Sequence, residues 1–209
     1  LIVLKILLVV VIVAGAAGIS SGIGVMKGII DSAPDISKID VTPTGYSTTV
    51  LAANGEETAT LVGQGANRQY VTIDEIPLDL QHAFVAIEDE RFYDHNGIDL
   101  HGIGRAFISG LSKGRFSEGA STITQQLIKN NVLTSWTSET SFVEKLQRKI
   151  QEQYLALELE KQVNDKDWIL ENYMNSVNLG ANTLGVQAAS KKYFNKDVSE
   201  LSLIHISEP

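Results

Sequence analysis

Positions 6–26, ILLVVVIVAGAAGISSGIGVM, are apolar or small throughout and hold no charge. A helix of that length crosses a hydrocarbon core of about 30 Å, so residues 1–26 are expected to form a transmembrane anchor. The competing expectation is a signal peptide, whose cleavage region the Gly- and Ser-rich second half resembles in composition. Only Lys5 and Lys27 flank the run, so charge sets no orientation. Residues 27–77 read as a connector, in which β-branched residues at 46–52 and 57–62 flank Asn54-Gly55. That spacing predicts a hairpin closed by a type I′ turn. From Leu78 the period turns helical, with Leu80, Ala83, Phe84 and Ile87 marking one buried face, Thr72 and Glu75 forming a capping box upstream, and Pro77 in the first turn.

Four or five helices are expected across residues 78–200, punctuated by Gly97, Gly110, Gly114, Gly119, Gly180 and Gly185. One is opened by Ser141 with Glu144 three residues on and runs to about Lys161, with Phe142, Leu146, Ile150, Tyr154 and Leu157 as its buried stripe. The next carries Glu171 and Asn175 and stops at Gly180. The last covers 185–194. Residues 98–119 read either as a mobile segment beside a membrane or as a short helix with a glycine-rich loop. The fold class is mainly α, after an N-terminal membrane helix and a small hairpin connector.

Composition narrows the function. A chain of 209 residues, 44% hydrophobic, can bury one sizeable core. A net charge of -8 and a pI near 5.0 argue against a nucleic-acid surface, and the lack of cysteine excludes thiolate chemistry.

The candidate chemistry begins at Glu88 and Asp89. Glu88 falls four residues after Phe84 and four before Phe92, which sets its carboxylate beside the apolar stripe, while Asp89 is rotated about 100° away. Lost hydration and a neighbouring like charge would favour the neutral form of Glu88 and make it the better general base. A second candidate stretch, 119–131, opens with Ser121 or Thr122 as a cap, with Gln125 completing a box. Thr122, Gln125, Gln126 and Lys129 then share a face of hydroxyl, amide and ammonium donors suited to phosphate and sugar oxygens. Farther on, Arg148 and Lys149 can receive an anionic leaving group, with Glu152 orienting them or holding a divalent cation, Mg2+ being the choice.

Four motifs occur in a fixed order: EDERFYDHNGID (88–99), GASTITQQLIKN (119–130), RKIQEQ (148–153) and ILENYMNSVNLG (169–180). Together they resemble glycosyltransferase family 51, the peptidoglycan glycosyltransferase domain of class A penicillin-binding proteins and monofunctional transglycosylases. The resemblance implies a lysozyme-like helical domain over 78–200, on the outer face of the bacterial cytoplasmic membrane, that polymerises lipid II into glycan strands and releases undecaprenyl pyrophosphate. It implies Glu88 as catalytic base and Glu152 as the second acid, assisting the pyrophosphate or its metal. Ser121, Thr122, Gln126, Lys129, Arg148 and Lys149 match positions lining the substrate clefts. Asp89, Phe92 and His95 fall in the first motif, and Gln125 and Asn130 in the second, as further binding candidates. Residues 98–118 match a flexible, membrane-contacting segment. With the anchor and connector, the chain looks most like a fragment of a bifunctional protein, with a transpeptidase domain expected downstream.

The residue chemistry agrees with that resemblance. Transfer from a lipid pyrophosphate needs one base for the acceptor hydroxyl and cations for a good leaving group, whereas hydrolysis with two carboxylates is the glycosidase pattern. A lysozyme-like muramidase or lytic transglycosylase is the alternative enzyme, and a non-catalytic wall-binding module the alternative to an enzyme. Residues 201–209, LSLIHISEP, depart from the family pattern and read as a non-native tail, so His205 and Glu208 are given no role.

Overall fold

The computed structural model describes residues 2–38, 40–61, 67–113, 119–134, 138–181 and 183–202. Within them lie helices α1 (Ile2–Asp31), α2 (Leu78–Glu88), α3 (Leu100–Lys113), α4 (Ile123–Asn131), α5 (Phe142–Val163), α6 (Lys166–Ser176) and α7 (Val186–Phe194). A hairpin of β1 (Thr48–Leu51) and β2 (Glu57–Leu61) precedes α2. The mainly helical expectation holds.

Helix α1 is 30 residues long, about 45 Å at 1.5 Å per residue, and buries none of them. Among the described residues it is the one helix long and apolar enough to cross a membrane. It continues five residues past Met26, and its end is fastened to α5: the Gln151 amide donates to the Ile29 carbonyl (3.3 Å) and the Ser32 hydroxyl (3.1 Å).

The hairpin forms where expected, antiparallel with Thr48 opposite Leu61, but its turn differs. Gly55 alone takes a positive φ (+87°), while Asn54 keeps a negative one and uses its side-chain oxygen to accept from the Glu56 N–H (3.1 Å). A type I′ turn needs both residues left-handed; here a wider loop closes through Gly55 N–H to the Ala52 carbonyl (2.9 Å). Val62, the expected end of the second strand, lies outside the described residues.

The globular core is assembled around α4. Nine residues make a marginal helix alone, yet Ile123, Leu127 and Ile128 are fully buried against Leu155 and Leu159 of α5 and Ile169, Leu170, Tyr173 and Met174 of α6. Tertiary burial therefore stabilises α4. Its entry is fixed by Thr122, whose hydroxyl accepts from the Gln125 N–H (3.2 Å). The connector is latched onto α6: Asn175 pairs with both backbone groups of Val71 (3.0 and 2.8 Å), and Glu171 accepts from the Ile73 N–H (2.6 Å).

Two expected stripes are corrected. In α5 the capping box of Ser141 and Glu144 is present, but the buried face is Gln151, Glu152, Leu155, Ala156, Leu159 and Glu160. Phe142 and Leu146 are exposed, at 79% and 48%, because the inner face includes polar side chains that find partners there and the apolar pattern points elsewhere. In α2, Val85 is buried and Ile87 is 81% exposed. The helix stops at Glu88, and α6 likewise ends at Ser176, short of Gly180. Residues 100–113 are helical, with Phe107 and Ile108 exposed; Gly114 and the four residues after it lie outside the described residues.

Gly97 is required for a reason the sequence does not show. Its φ is +85°, and a Cβ there would sit 2.6 Å from the Ala156 carbonyl oxygen on α5. Gly97→Ala is expected to lower stability by about 2–5 kcal/mol, from left-handed strain plus overpacking. Thermal unfolding checks this, and a loss under about 1 kcal/mol would mean that the α5 backbone yields.

Candidate active site

Glu88 is the last residue of α2, and Asp89 leaves the helix with extended backbone (φ -160°, ψ 72°). Because the helix ends between them, the 100° rotation expected of consecutive helical residues does not apply. The environments are the reverse of those expected: Glu88 is exposed, and Asp89 is 7% exposed. Asp89 accepts from the Ile123 N–H at the start of α4 (3.0 Å) and from His95 Nε2 (2.9 and 3.0 Å). A carboxylate in that position satisfies an open helix N–H and favours the positive end of the helix dipole. His95 therefore carries its proton on Nε2, while Nδ1 is buried with no partner among the described residues.

Phe92 is fully buried, with the Lys166 ammonium 4.4 Å from its ring centre. Lys166 also donates to the His95 carbonyl (2.6 Å) and pairs with Glu160 (2.6 Å), which accepts from the Thr124 hydroxyl (2.5 Å). This buried node ties the first motif to α4, α5 and α6. Neither Glu160 nor Lys166 was singled out by the sequence. The available signal was Glu160 following Leu155, Ala156 and Leu159 on one helix face.

Unlike the buried Asp89, Glu88 is exposed and accepts its described hydrogen bond from a single side chain. Gln126 Nε2 donates to Glu88 Oε2 (2.8 Å), and the Tyr173 hydroxyl donates to Gln126 Oε1 (3.2 Å). Burial pushes the Tyr173 pKa well up, and the charge of Glu88 adds to the shift. A cleft of about 240 Å³ borders Glu88, with Asp89, Arg91, Arg105, Ser121 and Thr122 on its walls.

The second cluster gathers at the start of α4. Lys149 Nζ donates to Ser121 Oγ (2.7 Å), Gln125 Oε1 (3.2 Å) and Glu152 Oε2 (3.1 Å). Arg148 pairs with the other oxygen of Glu152 and with Glu139 (2.8 Å), a partner the sequence did not suggest. Glu152 is 2% exposed. Thr122 and Gln125 direct donors to the Gly97 carbonyl (2.7 and 3.4 Å), so both fix the first motif onto α4. Lys129 and Asn130 lie half-buried in the last turn of α4.

The expected divalent cation finds a poor donor set. Among the described residues no group of three or more acids or histidines is placed to hold one, and both Glu152 oxygens are taken by cations. The described residues do not fit a resident ion.

On the far wall, Asp99 starts α3. Its carboxyl is held down to about 2, chiefly by the hydrogen bond from Arg91, which outweighs the opposing desolvation with smaller help from the N–H groups of Gly102 and His101 and the Arg91 charge. The folded value lies below the ordinary 3.8, so this contribution to stability is complete above about pH 4 and lost as pH falls through about 2. Asp99→Asn should flatten the wild-type loss of stability between those values. Parallel acid unfolding curves for the two would show that the pair contributes nothing.

Residues 54–207 match the protein family described as Transglycosylase. Penicillin-binding protein 1A of Clostridium botulinum (strain Langeland) is 42% identical over 194 residues, covering 90% of this chain and 22% of the relative. Penicillin-binding protein 1A of Clostridium perfringens (strain 13) is 51% identical over 142 residues, 66% of this chain and 20% of the relative. Penicillin-binding protein 1F of Bacillus subtilis (strain 168) is 43% identical over 157 residues, 75% and 21%. The chain thus spans about a fifth of the length of these relatives. The family match runs from the hairpin through all four motifs, and the chain belongs to the transglycosylase family.

Proposed function

We propose that the chain is the peptidoglycan glycosyltransferase part of a longer, membrane-anchored protein, extending glycan strands from lipid II. The observation that carries this reading is the contrast at 88–89. Asp89 is buried and fully engaged, whereas Glu88 is exposed at the cleft with one oxygen fixed by Gln126. Glu88 accepts the proton of the acceptor sugar hydroxyl as that oxygen attacks the anomeric carbon. The bond to the lipid pyrophosphate breaks on the opposite face, giving inversion. Lys149, anchored at Ser121 beside the α4 N-terminus, and Arg148 stabilise the departing pyrophosphate.

Membrane placement follows the same logic. Helix α1 spans the bilayer, the domain lies on its extracytoplasmic side, and the exposed Phe107, Ile108, Phe142 and Leu146 contact lipid. The relatives' greater length leaves room for a downstream transpeptidase domain.

The test supplies the membrane-embedded protein with lipid-linked disaccharide-peptide and, separately, with preformed glycan. Polymer from the first is expected. Cleavage of the second without polymer would move the protein to the lytic class.

A further inference from the structure

We propose that Tyr173, at the centre of α6, is a positioning residue for Glu88, acting through the side-chain amide of Gln126. The proposal rests on Glu88 being the base. Glu88 ends its helix and lines the cleft, and among the described residues no hydrogen bond from α2 sets the direction of its carboxylate. The hydrogen bond from Gln126 on α4 does, and that bond exists only in one of the two orientations of the amide. An ionised carboxylate accepts only, so it must meet the NH2 end, which turns the amide oxygen toward the interior.

There the oxygen needs a donor, and the Tyr173 hydroxyl supplies it. Tyr173 is fully buried, with its ring edge-on to Phe84 of α2 at 6.2 Å. That hydroxyl stays protonated because burial and the negative charge of Glu88 both oppose its ionisation. Three helices therefore contribute one group each: α6 fixes the amide, α4 carries it, and α2 presents the carboxylate. Without the hydroxyl, the amide is free to turn its oxygen toward Glu88, where like partial charges push the carboxylate out of line. The reaction then loses orientation at the moment of proton transfer, and substrate binding is unaffected.

The test measures polymerisation by the anchored protein with lipid-linked disaccharide-peptide for wild type, Glu88→Gln, Tyr173→Phe, Gln126→Ala and the Tyr173→Phe/Gln126→Ala double variant. Tyr173→Phe removes one oxygen and keeps the ring, and should lower the rate at saturating substrate about 3- to 10-fold with half-saturation unchanged. Gln126→Ala should lower it at least as far, and adding Tyr173→Phe to it should cost nothing more, since the two act as one unit. An unchanged saturating rate, a loss confined to half-saturation, or losses that multiply in the double variant would overturn the relay. Should Tyr173→Phe not fold, full rate in Gln126→Ala overturns it. A rate in Glu88→Gln within about 10-fold of wild type refutes the base itself and is read independently of Tyr173.

Discussion

Glu88→Gln should reduce polymerisation by about 10²- to 10⁴-fold, the usual contribution of a positioned general base, while leaving the melting temperature within about 2 °C of wild type. The side chain is exposed and has one described hydrogen bond, to Gln126, so its charge holds little of the fold together. The neighbouring acid should behave in the opposite way. Asp89 accepts from the Ile123 N–H and from His95 Nε2, and an asparagine there keeps one acceptor and turns an NH2 group toward a donor. A buried donor left unsatisfied costs about 1–3 kcal/mol, so Asp89→Asn should lose stability first and rate as a consequence. Melting curves and initial rates on the two variants separate the roles. If Glu88→Gln unfolds while Asp89→Asn merely slows the reaction, the assignment at 88–89 is inverted.

That contrast also shows what could be read from residue order. Helix starts were partly legible because caps are local: Ser141 and Glu144 form the full box and Thr122 accepts from the Gln125 N–H. The Gln125 side chain, however, turns to the Gly97 carbonyl instead of closing a box, and Thr72 with Glu75 opens only the turn 73–75 while α2 starts after Pro77. The end of α2 was not. It depends on Asp89 reaching Ile123, 34 residues on, and no periodicity in 78–97 encodes that partner. The α5 stripe was misread for a related reason. Gln151, Glu152 and Glu160 are polar, yet they face inward because α1, the α4 start and Lys166 offer them partners. Apolar periodicity finds the buried face only when burial excludes polar groups. The family motifs named Glu88, Gln126, Lys149 and Glu152, which the fold sets at the cleft and at the start of α4. They did not reveal that Thr122 and Gln125 hold the Gly97 carbonyl, or that Tyr173 stands behind Gln126.

Glu152→Ala should be the most destabilising change among the polar site residues. The carboxylate is 2% exposed and neutralises Arg148 on one oxygen and Lys149 on the other. Removing one partner from a buried ion pair costs about 3–5 kcal/mol, because the remaining charge is left desolvated without compensation. Glu139 still engages Arg148, so the deficit falls mainly on Lys149, whose side chain is 36% exposed and keeps Ser121 and Gln125, and no more than the lower end of that range is expected. In a chain of this size that is a fall in melting temperature of about 6–12 °C. Lys149 would also lose the tether that keeps its ammonium at Ser121, so half-saturation for the lipid pyrophosphate should rise in protein assayed below its melting temperature. The physical cause is isolated by adding Lys149→Met to Glu152→Ala. The double variant carries no orphaned ammonium and should regain part of the lost stability while remaining poor in substrate use. A single variant that melts within about 2 °C of wild type, or a double variant less stable than the single, would show that Glu152 is not what compensates the two cations.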